Sequence, residues 1–121
     1  AMIMSDIKTV SLTFATNGLK SNIIPVPSSV NDRGNLAAVE VDLHSGFPTA
    51  TAVELRFTDV DTADASARYD AAGTLISFAG AASRQVALAP SDYCAVKKYC
   101  QMVSNTSITT GGICTVLFRE V

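Results

Sequence analysis

Leu36-Ala-Ala-Val-Glu-Val-Asp-Leu-His44 is the stretch on which the reading of this chain turns. In an extended backbone Val39, Val41 and Leu43 fall on one side and Glu40, Asp42 and His44 on the other, the period-two alternation of a strand with one buried face. The same alternation recurs downstream in Val53-Glu-Leu-Arg-Phe-Thr58, where Val53, Leu55 and Phe57 are predicted to point inward. Further runs rich in β-branched and aromatic residues cover 7–14, 22–26, 74–78, 84–88, 98–104 and 113–120, as strands require. They add Val86, Leu88, Val116 and Phe118 to the predicted core.

The segments between these runs carry turn chemistry: Asn17-Gly18, Pro25-Val-Pro-Ser-Ser29, Asn31-Asp-Arg-Gly-Asn35, Ser45-Gly-Phe-Pro48 and Gly111-Gly112. Asp70-Ala-Ala-Gly73 suits a type I turn with the glycine in the left-handed position, closing a hairpin between 67–69 and 74–76. One stretch, Ala89-Pro-Ser-Asp-Tyr-Cys-Ala95, has proline at a helix start and an acid in the first turn, and predicts a single helical turn. About eight short strands at regular spacing with one helical turn predict an all-β fold, an antiparallel β-sandwich of jelly-roll type. Residues 9–121 form that domain, with residues 1–8 an extended or frayed N-terminal segment.

At 121 residues there is room for one domain. Hydrophobic residues at 48% and charged residues at 17% exclude disorder, and the mean hydropathy of +0.29 exceeds what one small core needs. Such an excess suits a surface that covers a partner. A net charge of −2 with scattered Lys and Arg argues against nucleic-acid binding, which needs a clustered basic face. No apolar run approaches the roughly 18 residues of a membrane helix, and the opening Ala1-Met-Ile-Met-Ser-Asp6 lacks a secretory pattern. The expected setting is therefore the cytosol, or an assembly built from it.

Candidate chemistry is sparse. His44 is the sole histidine. Asp42 and Ser45 flank it, but there is no nucleophile elbow, and an exposed strand histidine is the expectation. Cys94, Cys100 and Cys114 match no zinc spacing and are expected to be reduced thiols, although Cys100 and Cys114 sit on strands joined by 105–112 and within reach of a cross-strand pairing. Asp59-Val-Asp-Thr-Ala-Asp64 departs from a calcium loop at several ligand positions and reads as a solvated acidic loop. Neither a metal, a cofactor nor an enzymatic activity is expected.

Four segments carry a resemblance: Tyr69-Asp-Ala-Ala-Gly-Thr-Leu-Ile76, Ala82-Ser-Arg-Gln-Val-Ala-Leu-Ala-Pro-Ser-Asp-Tyr93, Lys98-Tyr-Cys-Gln-Met-Val-Ser104 and Cys114-Thr-Val-Leu-Phe-Arg-Glu-Val121. Together they resemble small β-rich virion structural proteins of tailed bacteriophages, of the head decoration or cement kind. The N-terminal half fits through Thr13-Phe-Ala-Thr-Asn-Gly-Leu-Lys-Ser-Asn-Ile23. Cys94 and Cys100 stand where small or aliphatic residues are usual, and Gly46-Phe47 where tryptophan is. The resemblance implies a non-enzymatic protein of the virion, made in the host cytoplasm. Its partners would be the major capsid protein or another virion protein, with a homotrimer favoured. A neck, tail or fibre-attachment component, or a host-surface carbohydrate-binding module, are the alternatives. Ile7, Pro25, Pro27 and Arg33 are the expected partner contacts, because extended segments can lie along a partner or add a strand to it.

Overall fold

A computed structural model describes residues 7–27, 36–93 and 97–120. Among them lie nine strands, β1 (Ile7–Phe14), β2 (Gly18–Lys20), β3 (Ile24–Pro25), β4 (Leu36–Asp42), β5 (Ala50–Thr58), β6 (Phe78–Gly80), β7 (Gln85–Leu88), β8 (Tyr99–Ile108) and β9 (Gly112–Glu120), with a one-turn helix α1 (Pro90–Tyr93). The strands form two antiparallel sheets. The first has the order β1-β9-β4-β7; the second has β2-β8-β5-β6, with β3 continuing along the β2 edge of β8. Taking β2 and β3 as one interrupted strand, the chain passes between the sheets with the connectivity of a jelly roll, the fold class expected from the alternation.

The alternation sets the layers. Val10, Leu12 and Phe14 of β1, Val39 and Val41 of β4, and Cys114, Val116 and Phe118 of β9 face the second sheet. Val53, Leu55 and Phe57 of β5 and Cys100, Met102 and Ile108 of β8 face back. Ala50 and Val53 are both buried despite their odd separation, because β5 shifts register against β6 between them. Such a bulge turns one residue back toward the core. Val86 and Leu88 are half-buried, since the four-residue β7 is an edge strand, yet both pack on the core. At one end Phe14 meets Phe47 edge to face, with centroids 6.0 Å apart.

Three details differ from the sequence reading. Of the run 74–78 only Phe78 is in a strand, and the predicted hairpin reduces to one bridge between Tyr69 and Leu75 around a turn with Gly73 at φ 84°. The Asp70 carboxylate accepts the backbone N–H groups of Ala72 and Thr74 at 2.9 Å each, competing locally with a ladder. β8 continues to Ile108, so the loop expected over 105–112 contracts to a tight turn in which Gly111 and Gly112 take φ of 66° and 135°. The short β2 follows Asn17, whose φ of 61° turns the chain and whose N–H donates to the Ile108 carbonyl at 2.8 Å. The first strand, Ile7–Phe14, covers the run expected at 7–14.

Candidate functional site

The two sheets treat their outer faces differently. On the second sheet the outward residues Glu54, Gln101 and Val103 are nonetheless buried, and several bonds tie segment 59–77 to that side of the molecule. Gln101 is the clasp. Its Nε2 donates to the Ser21 carbonyl and to Asp64 Oδ1, both at 3.0 Å, and its Oε1 accepts the Ala65 N–H at 2.9 Å. Beside it Arg56 forks onto Glu54, with Nη2 to Oε2 at 2.8 Å, and donates Nη1 to the Ala65 carbonyl at 3.1 Å. Lys20 Nζ pairs with Asp64 at 2.8 Å. Arg68 lies 4.7 Å above the Phe57 ring and donates to the Asp92 carbonyl. The acidic loop is therefore partly structural: Asp59 and Asp61 are exposed, while hydrogen bonds from Gln101 and then Lys20 hold the Asp64 carboxyl below its ordinary range.

The outer face of the first sheet has no such cover among the described residues. Register places Ile7, Thr9, Ser11 and Thr13 of β1 beside Arg119, Leu117, Thr115 and Ile113 of β9, followed by Ala38, Glu40 and Asp42 of β4 and then Ala87 and Gln85 of β7. Ile7 is 51% and Ile113 56% exposed. Ile7, Ala38, Glu40, Leu117 and Arg119 line an open cleft of about 210 Å³, smaller than the roughly 300–1,000 Å³ of sites that enclose a small ligand. Glu40 and Asp42 stand side by side on β4, and hydrogen bonding of the protonated carboxyl to Asp42 first, then burial and the Asp42 charge, raises Glu40 above its ordinary carboxyl range. Asp42 Oδ1 is buried without a donor.

Of the contacts expected from the sequence, Ile7 lies in this cleft. Pro25 is exposed on β3 of the other sheet, Pro27 is half-buried, and Arg33 lies outside the described residues, as does Cys94. The open face itself was missed, although the small and uncharged outward series of β1, Ile7-x-Thr-x-Ser-x-Thr13, was visible in the sequence.

His44 is not the exposed strand residue its alternation suggested. It follows the end of β4, half-buried, with its ring 5.7 Å from that of Phe47 and close under Gly112. Nδ1 accepts the Gly46 N–H at 3.0 Å, and the buried Nε2 has no partner among the described residues, which is not the geometry of a base in a triad. Burial lowers its pKa from the ordinary 6.5. The unfolded chain thus takes up this proton first as pH falls. Stability is expected to be level above about pH 6.5, to decline from there down to the depressed folded value, and to be level again below it. Thermal melts between pH 7.5 and 5 should show this decline, and His44→Gln should flatten it.

Cys100 and Cys114 are free thiols, both fully buried, one in each sheet. Burial pushes Cys100 up to about 12 and raises Cys114 as well, the latter offset in part by a hydrogen bond from the His44 backbone. A protonated, enclosed thiol reacts slowly. Intact-mass measurement after brief alkylation at neutral pH should find these two unmodified in the native protein, and all three cysteines modified in denaturant without reductant.

No family model, curated protein or solved structure matches the chain. The fold and the open face are therefore the basis for a functional reading.

Proposed function

We propose that this chain is a non-enzymatic structural protein of a tailed-bacteriophage virion, a head decoration or cement protein that acts by protein–protein contact. The observation that carries the reading is the asymmetry of the sandwich: segment 59–77 is fastened over one sheet, and the other sheet presents Ile7, Leu117 and Ile113 among short hydroxyl side chains. Such a face is adhesive and offers no assembled group of nucleophile, base and acid among the described residues. The jelly roll is an architecture that viral capsid and lectin domains share, and this likeness is an analogy of fold alone.

In this reading the protein is made in the host cytoplasm and joins the particle as a homo-oligomer bound to the major capsid protein or another virion component. Burying about 800 Å² per partner is enough for a stable contact, and contacts that straddle neighbouring capsid subunits resist internal pressure. The test is the composition of gradient-purified particles. The chain is expected in the particle fraction at fixed stoichiometry and at high copy number. A few copies per particle would move it to the neck or tail, against the decoration role. Its absence from particles, together with binding to cell-surface glycans, would replace the virion reading.

A further inference from the structure

We propose that the outer face of the first sheet pairs with the same face of a second copy of this chain, Arg119 of each copy reaching Glu40 of the other. Glu40 and Asp42 stand on the same outward side of β4, two residues apart, with their carboxyls side by side. Two adjoining carboxyls on an open face call for a cation. The exposed Arg119 borders the same cleft as Glu40, yet it forms no ion pair with a described residue. The face therefore carries both halves of a complementary pair, unjoined within one chain.

Strand order makes the two halves meet. The sheet runs β1-β9-β4-β7, so a two-fold axis along the strands and midway between β9 and β4 lays β9 of each copy over β4 of the other, and β1 over β7. The overlap is complete, and stacked sheets tolerate the small angle their twist imposes. Arg119 lies level with Ala38 and Thr115 level with Asp42. In the pair Arg119 stands over Ala38 of the second copy, and its side chain spans the about 7 Å to Glu40, two residues along the strand. Thr115 of one copy then stands over Asp42 of the other. Thr9 comes to lie over Ala87, with Ile7 level with the end of β7, covering apolar surface that is bare in one copy.

The magnitude sets the strength. Four strands about 4.8 Å apart and seven residues of about 3.4 Å give a face of roughly 450 Å², below the about 800 Å² per partner of a standard interface. Association should be weak and concentration-dependent. Because one face serves both copies, the contact closes as a two-fold pair rather than the trimer favoured from the sequence. The pairing occupies the same open face that carries the virion reading, yet the two are tested separately, since a dimer of a chain absent from particles would leave the pairing intact and remove that reading.

Sedimentation equilibrium tests it through charge reversal. Arg119→Glu sets a carboxylate against Glu40 of the second copy, and Glu40→Lys sets an ammonium against Arg119, so each variant alone should dimerise at least tenfold more weakly than the wild-type chain. In their equimolar mixture each variant chain meets the other with opposite charges facing, and dimers should form again. A wild-type chain monomeric up to about 1 mM, variants that dimerise like wild type, or a mixture that stays monomeric would each overturn the pairing. Should a variant fail to fold, concentration-dependent amide shifts of the wild-type chain decide the matter. They are expected on β1, β9, β4 and β7, and shifts confined to the second sheet would contradict the proposal.

Discussion

Phe118→Ala should lower stability by about 3–5 kcal/mol, the range for removing an enclosed aromatic side chain. Phe118 is fully buried at the middle of the first sheet, opposite Lys8 on β1 and Val39 on β4, and belongs to the core that joins the two sheets. Its removal loses the transfer free energy of the ring and leaves a cavity that two paired neighbouring strands hold open. For a domain of this size the melting temperature should fall by roughly 10–20 °C. Ile113→Ala on the same strand is the control, because Ile113 is 56% exposed and surface substitutions shift stability by about 0.5 kcal/mol or less. Equal losses at the two positions would contradict the assignment of inner and outer faces.

The second large effect is expected at Gln101. Gln101→Leu keeps the volume and removes three hydrogen bonds, leaving the buried Ala65 N–H and the Ser21 carbonyl without this partner. Each unsatisfied group costs about 1–3 kcal/mol, so the loss should total about 2–6 kcal/mol. By contrast, the Lys20–Asp64 pair lies with side chains 46% and 55% exposed, and an exposed ion pair contributes about 1 kcal/mol or less. Lys20→Ala should therefore be nearly silent where Gln101→Leu is not. Hydrogen exchange adds the location: protection in Gln101→Leu should fall first at Ala65 and along 59–77. A uniform loss over both sheets would contradict the role of Gln101 as the clasp of that segment.

What the sequence disclosed follows from where side chains point. Val39, Val41 and Leu43 alternate with polar residues because one face of their sheet meets the core, and that rhythm sufficed for β1, β4, β5, β8 and β9, for their inward residues and for the jelly-roll class. The rhythm fails in β5 and β8, where Glu54 and Gln101 are polar and buried, since the chain that covers them comes from 59–77 and its approach is a tertiary event. For the same reason the acidic run around Asp64 read as plain solvated loop, with nothing local to announce its link to Gln101. His44 continued the alternation of β4 on paper, but β4 ends at Asp42, and the Gly46 N–H bond to Nδ1 helps fix the ring in the turn that follows. The open face was half legible: Ile7 was singled out as a contact, whereas its grouping with Leu117, Arg119 and Glu40 depends on strand order, which alternation does not encode.

Electron cryomicroscopy of purified particles, made with and without this chain, tests the virion assignment most directly. The account predicts density of one jelly-roll size repeating over the head lattice at junctions between capsid subunits, lost when the chain is absent. Particles identical with and without the chain, the protein remaining in the soluble fraction, would contradict it.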